Sequence, residues 1–221
     1  MSSNEAIYSE FWQLLGWFLL IAGLVHALRR ENWHTLSNPH RNSWLAACVV
    51  ILLLWQLRAQ IQQGITFHIL GSAALTLIAG PYRAMLGMAA IVLLQAIFGH
   101  IAWVDIGILW GLKAAIPITV CTLLLRWAQH RLPHNYFIYI FLNCFGAAAL
   151  SMWLFGFFHC LTLTSSALYS WEFLYSEILP YYFLMGWPEG FTTGLNLTLM
   201  VVWQPHWVAT FDDRKYLQRR D

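Results

Sequence analysis

Three histidines and one aspartate have the types and the placement for joint chemistry. His68 opens one apolar stretch, His100 follows another, His159 lies at the end of a third, and Asp105 begins a fourth. Imidazole nitrogen and carboxylate oxygen together form a natural ligand set for divalent zinc, cobalt or nickel. Ionisable groups inside or beside long apolar runs are costly, so each is a candidate functional position. Taken singly, each histidine could equally be a satisfied interfacial side chain. Glu189 stands in Gly186-Trp-Pro-Glu-Gly190, and it fits two descriptions. A broken helix there would turn a carboxylate and freed backbone groups towards a polar cavity. Alternatively the last helix starts only at Pro188, with Glu189 in its first turn. Lys113, about two turns beyond Asp105, could pair with it or snorkel outward.

The remaining histidines are accounted for more simply. His34, His40, His130, His134 and His206 fall beside arginines or prolines between apolar runs, where a solvated or headgroup role suffices. His26, near the end of the first run, complements a helix C-terminus. Cys48, Cys121, Cys144 and Cys160 all sit in apolar segments without a CxxC pair, so neither a disulfide framework nor a zinc ribbon is implied. GxSxG and HExxH patterns are missing, and no paired acids have intramembrane-protease spacing, so the chain does not read as an enzyme.

The elements that must position these residues cross a bilayer. The 221 residues are 59% hydrophobic and only 10% charged, with 13 Trp and 14 Phe. Soluble domains carry about 25% charged residues, so an ordinary wetted surface is excluded. Disorder and collagen-like repeats are excluded by the same figures. A net charge of +2 is too weak for a nucleic-acid partner. The partner implied is the lipid bilayer itself. The residues Met1 to Glu10 lack Lys and Arg and carry two Glu, unlike the basic start of a secretory signal.

Spans of about 17 to 25 residues are required, and seven are expected. They are Phe11–Leu28, Ser43–Leu57, Ile65–Ala79, Tyr82–Phe98, Ile106–Trp127, Tyr136–Cys160 and about Ile178–Trp203. Gly80-Pro81 divides the third from the fourth, because proline cannot continue a hydrogen-bond ladder. The last is interrupted at Gly186–Gly190. With the N-terminus outside, ten of the twelve Lys and Arg residues fall on the cytoplasmic side, four of them in the C-terminal tail. Only Arg58 falls outside, and Lys113 lies within a span. The expected fold is therefore an all-α polytopic bundle, one integral membrane domain over residues 1–221, C-terminus cytoplasmic. His68, His100, His159 and Asp105 then share the outer rim. Trp12, Trp103, Trp171, Tyr175, Tyr181 and Tyr182 suit the headgroup level without further function.

One stretch carries a resemblance. Gly64-Ile-Thr-Phe-His-Ile-Leu-Gly71, then Gly80-Pro81, then Leu93-Leu-Gln-Ala-Ile-Phe-Gly99 is similar to the CbiM/NikM family. That family supplies the membrane substrate-binding component of cobalt and nickel transporters of the energy-coupling-factor type. The match covers roughly residues 64 to 107. The resemblance implies a seven-span fold with the N-terminus outside, and it makes His68 the counterpart of a metal-binding histidine. Gln95, Gly71, Gly80 and Gly99 match as packing and turn positions. The family begins Met-His-Ile-Pro-Glu-Gly and draws most of its ligands from that start, whereas this chain begins Met1-Ser2-Ser3. Its Asn-rich segment after Phe-Gly is also replaced here, by Ile108-Leu-Trp-Gly-Leu112. His100, His159 and Asp105 are therefore the substitute ligands expected around His68.

The implied function is uptake of a divalent transition metal (cobalt, nickel or zinc) across a bacterial inner membrane. The metal is the substrate, and no organic cofactor is expected. No phosphate loop or Walker motif occurs, so ATP coupling would need a separate transmembrane coupling subunit and ATPase subunits. The alternative is a non-transporting membrane subunit or assembly factor that holds haem between histidines of two helices.

Overall fold

A computed structural model describes residues 6–33, 36–212 and 216. Helix α1 (Glu10–Arg30) is followed by α2 (Asn38–Leu54). A hairpin of β1 (Ala59–Gln62) and β2 (Ile65–Phe67) comes next, antiparallel with Ala59 opposite Phe67. Then come the short α3 (Ser72–Ala79) and α4 (Pro81–Ile97). Helix α5 (Trp103–Arg131) opens with a 3-10 turn and contains a π turn at Gly111–Ala115. Helix α6 (Tyr136–Ser165) and helix α7 (residues 171–203) complete the bundle, each with a π segment near its start.

By length and composition α1, α5 and α6 are long and apolar enough to cross a membrane, and α4 is a shorter apolar helix. Large apolar side chains cover the outside, among them Phe18, Phe141, Leu184 and Phe191. That inverted surface suits a lipid solvent. The basic tail residues Arg214, Lys215, Arg219 and Arg220, and His34, lie outside the described residues.

Two expectations about the elements need correction. Ile65–Ala79 is not one helix. Gly64 and Gly71 hold φ of 78° and 71°, left-handed values that suit glycine, and between them Ile65–Phe67 form a strand. The helical part shrinks to Ser72–Ala79. The division at Gly80-Pro81 is observed: α3 stops at Ala79 and Pro81 is the first residue of α4.

Nor is the last helix broken at Gly186–Gly190, and it does not start at Pro188. Residues Leu179–Trp203 are continuously helical, with Pro188 inside. The glycines are contact points instead of breakers. A Cβ on Gly186 would lie 2.0 Å from Trp153 Nε1, and one on Gly190 would lie 3.0 Å from Phe145 O. Close packing against α6 thus holds the helix through its proline, as neighbouring helices commonly do in membranes.

The crossing of α1 and α5 fixes the top of the bundle. Gly16 and Gly107 face each other backbone to backbone; a Cβ on Gly107 would sit 2.4 Å from Trp17 N. Small residues allow such approaches in membranes, where dispersion contacts drive association. The crossing brings the chain before α1 across the start of α5.

Candidate metal and ligand site

A cavity of about 570 Å³ opens where these segments meet. Its walls come from the hairpin, α4, the start of α5 and the residues just before α1. His68, His100 and Asp105 line it, together with Arg58, Gln95 and Lys113.

His68 lies between β2 and α3 on non-helical backbone, and both its ring nitrogens have partners. Nδ1 is 3.0 Å from Ile69 O, which accepts, so the proton of a neutral ring resides on Nδ1. Nε2 then carries the lone pair, and Lys113 Nζ donates to it at 3.0 Å. The same ammonium lies 5.1 Å from the centroid of the Trp55 ring, a cation–π contact. Lys113 pairs with His68, not with Asp105, and it does not snorkel outward; it is buried. Lys113 stands in the π turn Gly111–Ala115, eight residues beyond Asp105 and so off its face of the helix. Ser72 Oγ donates a hydrogen bond to the Lys113 carbonyl within that turn. π turns often occur at functional positions.

The His68 segment is braced from below. Glu189 accepts hydrogen bonds from Leu70 N at 2.7 Å and Gly71 N at 2.9 Å. Trp55 Nε1 donates to Leu70 O at 3.1 Å. Glu189 is buried and does not line the cavity, so its carboxylate serves the backbone that presents His68.

Asp105 terminates the 3-10 turn at the start of α5, and its two oxygens are occupied. Ile7 N donates to Oδ2 at 2.9 Å and Gln13 Nε2 to Oδ1 at 3.0 Å. His159 is buried behind Tyr8, whose hydroxyl lies 2.9 Å from Nε2; Tyr182 OH lies 2.8 Å from Nδ1. Both ring nitrogens are thus engaged, and His159 does not line the cavity. His100 lies near the mouth, with Nε2 3.2 Å from Gln56 Oε1. Partial desolvation, and then the Arg58 charge, lower its imidazole pKa.

Three of the four expected ligands therefore line one cavity, and the fourth is one tyrosine removed. They do not converge on a point: among the described residues no three His, Cys, Asp or Glu side chains are grouped to hold a metal. Sequence reasoning missed four participants. Tyr8 and Gln13 give no signal, because their partners His159 and Asp105 lie 151 and 92 residues away in the chain. Arg58 stood out as the one basic residue on the expected outer side. Gln95 matched only as a packing position, yet Arg58 Nη1 donates to its Oε1 at 3.2 Å.

The family profile described as the cobalt uptake substrate-specific transmembrane region, CbiM, matches residues 4–207. The chain belongs to this family. Two solved structures share the fold of this CbiM-family chain. One is described as a truncated transition metal transporter, with a TM-score of 0.78 at 16% identity, covering 91% of this chain and 99% of the other. The second, a transition metal transporter, gives 0.75 at 15% identity, covering 90% and 92%. At such identities the likeness extends to the fold alone. No curated protein matches the sequence.

Proposed function

We propose that this CbiM-family chain is the substrate-binding membrane component for uptake of a divalent transition metal of the cobalt and nickel type, or zinc. His68 Nε2 is the central ligand, since it carries the lone pair of its ring and faces the cavity. Asp105 and His100 approach from the same cavity once their present partners yield, and His159 lies behind Tyr8 as an outer support. Lys113 must turn away for a metal to reach Nε2. Loading proceeds from the outer face of a bacterial inner membrane. Release is coupled to ATP through a separate transmembrane subunit and ATPases, because the chain carries no nucleotide-binding motif of its own.

The observation that carries this reading is the neutral His68 tautomer fixed by Ile69 O within a chain of this family. Elemental analysis tests it. Untagged protein, expressed in medium supplemented with cobalt, nickel and zinc and purified in mild detergent, should retain metal. His68→Ala should retain none, while His134→Ala, remote from the cavity, should match the wild type. Equal retention by wild type and a folded His68→Ala protein would overturn the assignment.

A further inference from the structure

Resting on that reading, we infer that the metal enters this cavity inside a small anionic carboxylate chelate and not as a bare aqua ion. Among the described residues the charged side chains of the wall are Arg58 and Lys113 against Asp105, beside His68, His100 and Tyr8. The nitrogen meant for the metal already accepts from an ammonium. A bare dication would have to approach Nε2 against that ammonium, with Arg58 on the same wall. Asp105 is the one carboxylate set against them, and each of its oxygens already accepts a hydrogen bond, from Ile7 N and Gln13 Nε2.

The same groups suit an anion bearing a metal. Arg58 can only donate, and one of its N–H groups is given to Gln95 Oε1. Lys113 Nζ and Arg58 are therefore two cationic donors on one cavity wall, and carboxylate oxygens are their natural acceptors. Size agrees: about 570 Å³ is a volume for a small molecule, within the range of roughly 300–1,000 Å³ for such pockets.

On entry, the Lys113 ammonium exchanges its bond to His68 Nε2 for one to a chelate carboxylate. The freed Nε2 lone pair then completes the metal's coordination. Nδ1–H stays on Ile69 O, and no proton needs to be lost. One side chain thus blocks bare cations and recruits the complex.

Calorimetric titration of untagged, metal-free protein in detergent tests this. The titrants are Ni²⁺ in a non-coordinating buffer, the one-to-one nickel–nitrilotriacetate complex, which is anionic with two open coordination sites, and metal-free nitrilotriacetate. The wild type should bind the nickel complex more tightly than either other titrant. Lys113→Met should weaken the complex on the order of 30-fold or more, as loss of a buried charged donor does, and should strengthen Ni²⁺ binding. Arg58→Met, nearer the mouth, should weaken the complex less and keeps the test alive should Lys113→Met fold poorly. Tighter binding of Ni²⁺ than of the complex overturns the inference and leaves metal uptake standing. So does an unchanged affinity for the complex in both variants. Metal-free chelator bound as tightly as the complex also overturns it. Failure of the wild type to retain metal in the elemental analysis, by contrast, removes the uptake reading itself.

Discussion

Replacing Glu189 tests whether the site is built from the backbone upward. Its two carboxylate oxygens accept from Leu70 N at 2.7 Å and Gly71 N at 2.9 Å, in a region closed to solvent. Glu189→Gln keeps the shape, so no cavity opens. One amide oxygen still serves one peptide N–H, but the bond loses its charge. The amide NH₂ then meets the second N–H donor to donor. Hydrogen bonds to charged groups contribute about 1.5–3 kcal/mol, and an orphaned buried donor costs about 1–3 kcal/mol. These overlap, so the expected loss is about 2–3 kcal/mol. Glu189→Ala orphans both donors and should lose more, about 3–5 kcal/mol, as for other broken buried pairs.

At about 2–4 °C per kcal/mol for a chain of this size, Glu189→Gln should lower the unfolding midpoint by roughly 5–10 °C. The assay is tryptophan fluorescence during heating in detergent. Phe191→Leu, on the lipid-facing side of the same helix, should stay within about 0.5 kcal/mol. Because Leu70 is two residues from His68, nickel-complex affinity should fall as well, even at temperatures where the variant is folded. A Glu189→Gln midpoint within about 1 °C of wild type would refute the brace and the magnitude together.

Three further outcomes are expected. Gly156→Ala forces a Cβ to 2.4 Å from Tyr182 Cβ, so it should cost about 1–3 kcal/mol by thermal unfolding and disturb the Tyr182–His159 hydrogen bond. The His100 imidazole should titrate by NMR below its ordinary value of 6.5, because desolvation first and Arg58 second oppose its charge; Arg58→Met should move the midpoint part of the way back up. With that lowered pKa the folded state binds fewer protons than the unfolded one, so the His100 contribution to stability falls as pH drops through 6.5 and levels off below the folded value. Reporters fused at Ser2 and after Asp221 should report outside and cytoplasm respectively; the same side for both would sink the seven-span topology.

The helical character and the Gly80-Pro81 division were legible in composition and punctuation, whereas His68 stood out through the resemblance and was expected on a helix. The shape of the His68 segment was not legible. Ile65–Ala79 is an apolar run, and short apolar runs fit a strand and a helix equally well. Gly64 and Gly71 were visible, but their left-handed φ became decisive only once Trp55 and Glu189 were in place to receive the backbone between them. Lys113 shows the same limit. Counting turns from Asp105 finds partners on its own helix only, and the partner of Lys113 is His68, 45 residues away on another segment. Pro188 misled in the opposite direction, because its effect is decided by the α6 side chains packed on Gly186 and Gly190 and not by its own segment.

These exceptions divide the buried polar residues into two kinds. Glu189, Trp55 and Ser72 bond to backbone that irregular geometry leaves open: Leu70 N, Gly71 N, Leu70 O and the Lys113 carbonyl. In an apolar surrounding each of those groups would otherwise cost a few kcal/mol, so substitutions of these three side chains act on folding first and on binding as a consequence. His68, Lys113, Arg58, Gln95 and Asp105 instead face the cavity. For Arg58 the order reverses. It is only half-buried, so Arg58→Met should alter ligand affinity more than the unfolding midpoint, whereas Lys113→Met also leaves His68 Nε2 without its donor and should move both. A bundle that merely tolerated polar residues would not separate the two effects. The separation follows from a fold in which one set of polar side chains holds an open backbone in place and the other set is held ready by it.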